Sequence, residues 1–178
     1  ANDCDKQYEL LAALITFAFA SSITPGPNNM MLLASGANFG FKRTIPHMLG
    51  ISLGHALMVF LVGIGLAQIF STFPILKQIM QVIAAVYMIW LAWKIANSAP
   101  ASREEAKGSP LTFAQAAAFQ LVNPKAWGMA LTAVTAYAPS DTVFAMVLVA
   151  VTFASVNLPS VSVWTVLGQQ MQRLLTDT

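Results

Sequence analysis

The sequence predicts an all-α integral membrane protein, an inverted repeat of three plus three transmembrane helices with the first helix of each half broken. Hydrophobic residues make up 57% and charged residues 9% of the chain, against about 45–50% and about 25% in soluble domains. The charges stand between long apolar runs. Two of those runs are interrupted by proline and asparagine at corresponding positions, which is typical of transporters built from inverted repeats.

The charge-free runs predict five membrane spans, because a membrane helix needs about 20 apolar residues. The spans lie near 10–37 (broken), 44–70, 74–97, 111–138 (broken) and 142–168. The predicted domains are a polar N-terminal tail at 1–9, a first repeat of three spans at 10–97, a cytoplasmic loop at 98–110 and a second repeat of two spans at 111–178. The tail lacks a basic region and a cleavage site, so we expect the first span to be retained.

The first break is the run Thr24-Pro25-Gly26-Pro27-Asn28-Asn29. Each proline removes a backbone donor and crowds the carbonyl one turn earlier, so carbonyls before the break and amides after it lose their helical partners. Non-helical backbone at membrane depth survives where protein buries it or where it lines a watered cavity. This run is therefore the first candidate for a substrate site.

The second break is Asn123-Pro124-Lys125. A shift of 99 positions takes Pro25 to Pro124 and the second span onto 143–169, close to the fifth. The same shift takes the third span beyond residue 178, so the sequence predicts that a sixth helix is missing from this chain. We expect the halves to insert in opposite orientations and to bring the breaks together, each helix after a break presenting free amides to a carboxylate.

Polar residues within the spans complete the candidate binding site: Thr24, Gly26, Asn28, Asn29, Asn123, Lys125 and Asn157. Thr24, Gly26 and Asn123 each precede a proline and are candidate helix N-caps. No acidic residue lies in any span, so either Lys125 loses its proton or the substrate's carboxylate pairs with it, and we favour the second. Pro159 is predicted as a further break, beside Asn157. His55 is the candidate for proton coupling, whereas His47 is predicted to be interfacial.

Each of these assignments has a simpler alternative. The breaks can be proline kinks that only shape packing, Lys125 can mark the interface if its span begins near Pro124, and Asn157 can bond a neighbouring helix. The pairs Gly50 and Gly54, and Gly36 and Gly40, predict close helix packing.

The positive charges predict orientation. Lys42 and Arg43, the basic residues around the loop at 98–110, and Arg173 all fall on one side of the predicted membrane. The positive-inside rule therefore places the N-terminus outside. The net charge of +2 is scattered, so no nucleic-acid partner is expected. Cys4 is the only cysteine.

The chain resembles the lysine-exporter (LysE/RhtB) superfamily, most closely its members that export cysteine and O-acetylserine. The matching residues are Ser22 to Asn29, Ala34 to Ala37, Gly40 to Arg43, Pro46 to Gly54, Gln120 to Ala126 and Asn157 to Gln169. The resemblance implies a bacterial inner-membrane, multi-pass exporter of small amino acids that is driven by the proton-motive force. It implies no enzyme activity and no cofactor.

The predicted partners are the substrate (cysteine or O-acetylserine, homoserine or threonine) and the lipid bilayer, and assembly into a homo-oligomer is left open. A metal-ion exporter is the first alternative, but it would need clustered ligands, and two histidines with no acid in a span do not supply them. A membrane thiol-redox conductor is the second, and it would need paired cysteines.

Overall fold

The computed structural model describes residues 2–96 and 108–177, and the regular structure of those residues is helical. Its α-helices are α1 (Asp3–Ile23), α2 (Pro27–Phe39), α3 (Phe41–Leu61), α4 (Ala67–Thr72), α5 (Pro74–Ala96), α6 (Phe113–Phe119), α7 (Pro124–Tyr137) and α8 (Val143–Thr176). Most of the loop predicted at 98–110 lies outside the described residues.

The first predicted span is two helices with a bend of 56° between α1 and α2. The chain leaves helical geometry at Thr24, whose φ and ψ are −70° and 150°, and is fully extended at Gly26. Pro27 then begins α2, at the position where a proline's missing N–H costs nothing. The predicted polar tail is already helical from Asp3, because acidic residues in a first turn favour the positive end of the helix dipole.

The second span contains an interruption that the sequence pattern does not predict. A five-residue π-helical segment, Val62–Leu66, follows α3 and joins it to α4. Gly65 has a φ of 141°, a value that only glycine adopts without strain. The chain therefore turns within the predicted span of 44–70, rather than at its end.

The third and fourth spans lie close to their predicted positions. α5 covers Pro74–Ala96, against a prediction of 74–97. In the fourth span a short 3₁₀ turn, Gln120–Val122, follows α6, and Asn123 has the extended φ and ψ of −91° and 107° before α7 begins at Pro124.

The break predicted at Pro159 is wrong, because α8 runs through it as one helix of 34 residues. A single proline removes one N–H bond, and membrane helices tolerate this where nearby hydroxyls and neighbouring helices provide other bonds. The carbonyl that loses its helical donor is that of Ser155, four residues before Pro159, and the helix continues on both sides of this one missing bond.

α8 is the central helix, and α1, α2 and α3 all pack against it. Its approach to α2 depends on glycine: a Cβ on Gly36 would collide with the backbone of Thr165, and one on Gly168 with the backbone of Leu33. Gly50 packs in the same way against α6, and so does Gly54.

Length and composition qualify Phe41–Gly65 and Val143–Thr176 as membrane spans among the described residues, and the bent pair of α1 and α2 as a third. Many large apolar side chains on these helices are exposed, including Phe144 at 77%. An apolar exterior of this kind suits a lipid environment. The inverted relation of the two halves and the sixth helix stay predictions.

Candidate functional site at the two helix breaks

Side chains bond the carbonyls that the first break leaves at the end of α1. Asn29 donates from Nδ2 to the carbonyls of Ser22 and Thr24, at 2.8 and 2.7 Å. Trp164 of α8 donates from Nε1 to the carbonyl of Ile23 at 2.9 Å. The carbonyl side of the break is therefore satisfied by side chains from α2 and α8, as buried backbone polar groups must be.

Lys125 of α7 bonds the same carbonyl end. Its Nζ lies 2.8 Å from the carbonyl oxygen of Thr24, 3.0 Å from Thr24 Oγ1 and 3.2 Å from the carbonyl oxygen of Pro25. The half-buried ammonium thus sits at the negative end of the α1 dipole, where a cation is stabilised. This contact brings the second predicted break directly against the first.

Gly26 is required by this contact. A Cβ at Gly26 would lie 2.8 Å from Cδ and 3.1 Å from Nζ of Lys125. Its φ of −178° is ordinary extended backbone. Glycine is therefore needed here for space and not for conformation.

Two of the three predicted N-caps occupy that position. Gly26 caps α2, and Asn123 caps α7 with its Oδ1 accepting from the backbone N–H of Lys125 at 3.1 Å. The prediction for Thr24 is wrong: it is the C-cap of α1, and its hydroxyl donates to the carbonyl of Ser21 at 3.0 Å. Two extended residues separate Thr24 from α2, so its side chain is held by α1.

The amide side of the first break is open. Pro27 has no N–H, and no hydrogen bond joins the N–H groups of Asn28 and Asn29 to another residue in the described parts of the chain. At the second break, by contrast, the side-chain oxygen of Asn123 already accepts a hydrogen bond from the backbone N–H of Lys125. Of the two helices that follow the breaks, α2 therefore has two consecutive backbone donors without a partner among the described residues, Asn28 and Asn29, and α7 does not.

A reciprocal amide pair connects the two breaks. Asn28 Nδ2 donates to Gln120 Oε1 at 2.8 Å, and Gln120 Nε2 donates back to Asn28 Oδ1 at 3.0 Å. Gln120 is 1% exposed and was not a predicted site residue. Its place at the start of the matching run Gln120 to Ala126, three residues before Asn123, is the sequence signal that could have found it.

Asn157 joins the site through Ser22, another residue that the sequence interpretation missed. Asn157 Nδ2 donates to Ser22 Oγ at 2.9 Å, and both side chains are buried. The polar wall predicted for Asn157 is therefore a contact between α8 and the last turn of α1.

These side chains enclose a small cavity of about 20 Å³. Its lining includes every predicted binding residue except Thr24: Gly26, Asn28, Asn29, Asn123, Lys125 and Asn157. A cavity needs roughly 10–15 Å³ of such volume to hold one water molecule. In this structure the site has room for about one water and is too small for an amino acid.

A larger cavity of about 430 Å³ lies between the start of α1, the end of α7 and the start of α8. Tyr8, Leu11, Tyr137 and Phe144 are among its lining residues, and none of those residues is charged. Nothing in it matches the convergence of a lysine and free amides at the breaks, so we assign the candidate site to the smaller cavity.

Both histidines are buried and outside the cavity lining. His55 Nε2 lies 3.1 Å from the carbonyl oxygen of Ala126, and its ring is 4.8 Å from the ring of Phe153. His47, predicted to be interfacial, is 1% exposed, and neither ring nitrogen has a partner among the described residues. His47 is therefore covered by protein, and its position at the membrane interface stays a prediction.

Comparison with known proteins supports the resemblance. Residues 19–177 match the family described as LysE type translocator. The chain is 36% identical to the cysteine/O-acetylserine efflux protein of Salmonella typhimurium over 129 residues, which are 72% of this chain and 65% of that protein. It is 32% identical to the cysteine/O-acetylserine efflux protein of Escherichia coli K12 over 168 residues, which are 93% and 85% of the two chains.

The chain thus spans 65% of the length of the Salmonella relative that it matches. No solved structure matches it. The family match covers nearly all of the chain, including both helix breaks, and it confirms the resemblance drawn from the motifs. The chain belongs to the LysE type translocator family, whose members are transporters and not enzymes.

Proposed function

We propose that this protein is an inner-membrane exporter of small amino acids, of the cysteine or O-acetylserine type, and that the substrate binds at the two helix breaks. The names of the relatives support this substrate class. The apolar helices, long enough to cross a membrane, support the location.

The unequal bonding of the two sides of the first break supports a carboxylate site there. Protein side chains bond the carbonyls of Ser22 and Thr24, whereas the amides of Asn28 and Asn29 stay free among the described residues. Free amides at a helix N-terminus attract an anion, and the helix dipole adds to the attraction. The substrate carboxylate binds at the start of α2, and α7 contributes Lys125 rather than a second helix end.

Lys125 changes partners when the substrate binds. Without substrate its ammonium is held by three uncharged oxygens of Thr24 and Pro25. A carboxylate is a stronger partner for an ammonium than a neutral carbonyl, because it carries a full negative charge that attracts the ammonium. Binding therefore draws Lys125 from α1 towards the substrate and weakens the contact between the breaks.

Transport follows an alternating-access mechanism in which the halves rock around the site. An amino acid does not fit a cavity of about 20 Å³, so the closed state must open to admit one. The contacts that open are those between the breaks, namely Lys125 with Thr24 and Asn28 with Gln120. In this proposal the halves are inverted repeats, so the same contacts open to either side of the membrane.

The proton-motive force drives export, and His55 is the proposed proton carrier. Its Nε2 contacts the first turn of α7, which bears Lys125, while its Nδ1 has no partner among the described residues. A proton taken up at Nδ1 places a charge beside the helix that carries the substrate's lysine. Proton uptake and the position of α7 are thereby coupled.

The alternatives have less support. In the part of the chain that the structure describes, no three metal-binding side chains lie together, as a metal-ion exporter would need. A thiol-redox conductor would need a second cysteine, but the chain has only Cys4.

The test is counterflow of labelled L-cysteine into proteoliposomes that contain the purified protein and are preloaded with unlabelled cysteine under a reducing agent. We expect saturable counterflow. Lys125→Met should lower it by roughly 10- to 100-fold, since a hydrogen bond to a charged group contributes about 1.5–3 kcal/mol. Lys42→Met, which removes a lysine at the start of α3 away from the cavity, is the matched control and should keep the wild-type rate.

Wild-type protein without counterflow of cysteine, homoserine or threonine would contradict the exporter proposal. Normal counterflow after combined replacement of Asn28, Asn29 and Lys125 would refute the site while leaving the function in place.

A further inference from the structure

Two buried amide oxygens in the cavity have no hydrogen-bond partner. They are Oδ1 of Asn29 and Oδ1 of Asn157, in side chains that are 2% and 3% exposed. Both residues line the cavity at the breaks. Buried polar atoms are nearly always bonded in folded proteins, so two free acceptors at one place call for a donor.

The orientation of the Asn29 amide is fixed by its surroundings. Its nitrogen donates to two carbonyl oxygens, those of Ser22 and Thr24. A carbonyl can only accept, so the nitrogen must face α1 and the oxygen must face away from it. Asn29 therefore presents an acceptor on the side opposite the end of α1.

Ser22 places the second acceptor close to the first. Asn29 bonds the backbone carbonyl of Ser22, and Asn157 bonds its hydroxyl at 2.9 Å. In the orientations that the structure gives these two amides, both nitrogens bond Ser22 and both oxygens stay free. Lys125 does not satisfy them, because its ammonium already contacts three oxygens on Thr24 and Pro25.

We infer that the side-chain oxygens of Asn29 and Asn157 bind the α-ammonium group of the substrate. This inference rests on the proposed exporter function and specifies the recognised class. An ammonium group carries three donors and no acceptor, which suits a pair of uncharged acceptors. Neutral oxygens also hold a cation without trapping it as a carboxylate would, and a transported substrate must leave.

Asn29 explains why an α-amino acid is selected. Its backbone N–H belongs to the proposed carboxylate site, and its side-chain oxygen belongs to the ammonium site. The two sites are therefore separated by no more than the size of one residue, which matches the short separation of the charged groups in an α-amino acid. In the absence of substrate, a single water in the closed cavity can donate to both oxygens.

The first experiment uses the unmodified protein. Counterflow of labelled L-cysteine into proteoliposomes is measured against two competitors, unlabelled L-cysteine and 3-mercaptopropionate, which lacks only the amino group. Because 3-mercaptopropionate is the smaller molecule, it cannot fail for lack of space. We expect it to compete at least 30-fold more weakly than cysteine. Competition within threefold of cysteine would overturn the ammonium site and leave the exporter proposal intact.

The second experiment tests whether Asn157 determines the preference for cysteine over 3-mercaptopropionate. Asn157→Ala removes the acceptor without adding bulk to the cavity and should reduce the preference for cysteine over 3-mercaptopropionate by about tenfold. Asn157→Asp keeps an acceptor and should retain the preference. Ser160→Ala removes another buried polar group one turn along α8, outside the cavity lining, and should leave the preference unchanged.

A merely structural Asn157 would lower counterflow without changing the ratio between the two compounds, and that result would also overturn the inference. Absence of cysteine counterflow in the wild-type protein would instead refute the exporter proposal, and the ammonium site with it.

Discussion

Gly26, at the first break, and Gly128, inside α7, differ in the free space around them. Gly26 faces the stem of Lys125, whereas Gly128, one turn further along α7, has no atom within 4 Å of the position of an added Cβ. A methyl group at Gly26 meets only a flexible side chain, so the fold can absorb it if Lys125 moves. The effect of the substitution therefore falls on the ammonium group.

We predict that Gly26→Ala lowers cysteine counterflow at least tenfold while the protein stays folded. The methyl group displaces Lys125 from the carbonyls of Thr24 and Pro25 and misplaces its charge relative to the start of α2. The measurement is counterflow in proteoliposomes, with helical content checked by circular dichroism. Gly128→Ala is the matched control and should retain wild-type counterflow. If both variants transport equally well, the position of Lys125 does not matter to the site.

The partner of Lys125 shows what sequence reasoning could not reach at this scale. The absence of acidic residues from the spans predicted no acidic partner there. It left a substrate carboxylate or loss of the proton as the options, because a sequence pattern displays side chains and not backbone carbonyls. The carbonyls of Thr24 and Pro25 become available only once the break has formed. Gln120 was missed for a different reason: its partner Asn28 lies 92 positions away in the sequence.

At the scale of helices, prolines have different effects in different surroundings. Pro25 lies in a run with Gly26 and Pro27 and interrupts the helix, while Pro159 stands between ordinary helix formers and α8 continues through it. A single proline removes one backbone N–H. Pro25 and Pro27 remove two within three residues, and the glycine between them lowers the helix propensity further. The number of prolines is not the whole rule, because the single Pro124 also follows a break, at Asn123, whose side chain caps α7. The turn at Gly65 was not predicted, because a single glycine in a sequence does not indicate whether its φ is positive.

The contact between α2 and α8 is predicted to fail when its glycines are enlarged. Alanine at an unhindered helical site stabilises a helix by about 1 kcal/mol relative to glycine. At Gly168 the added methyl group would collide with the backbone of Leu33, which cannot rotate away. Overpacking of this kind costs about 1–3 kcal/mol. Gly168→Ala should therefore lower the midpoint of thermal unfolding.

The measurement is thermal unfolding of the detergent-solubilised protein, followed by circular dichroism. Gly128→Ala adds the same methyl group where nothing lies within 4 Å and should unfold at an equal or higher temperature. The test is whether Gly168→Ala lowers the unfolding midpoint while Gly128→Ala does not. A higher midpoint for Gly168→Ala would show that α2 and α8 do not depend on this close approach.

At the scale of the whole molecule, the spacing of charges predicted the extent of most helices to within a few residues. α7, for example, ends at Tyr137 where residue 138 was predicted, and α8 begins at Val143 where residue 142 was predicted. Charge predicted helix length poorly at the N-terminus. There the polar residues from Asp3 to Glu9 form the first turns of α1. Which side of the membrane each end faces depends on loop charges, and that prediction can be tested directly.

Cys4 makes the orientation measurable without engineering a reporter. It is the only cysteine in the sequence and is exposed at the start of α1. The basic residues predict the N-terminus outside, so a membrane-impermeant maleimide added to intact bacterial spheroplasts should label Cys4. In the background Cys4→Ser, a cysteine introduced by Ser102→Cys in the predicted cytoplasmic loop should react only after the membrane is permeabilised. Protection of Cys4 together with labelling at position 102 in intact spheroplasts would reverse the assigned orientation. The proposed direction of transport, from the side of Lys42 and Arg43 outward, would then need to be reassigned.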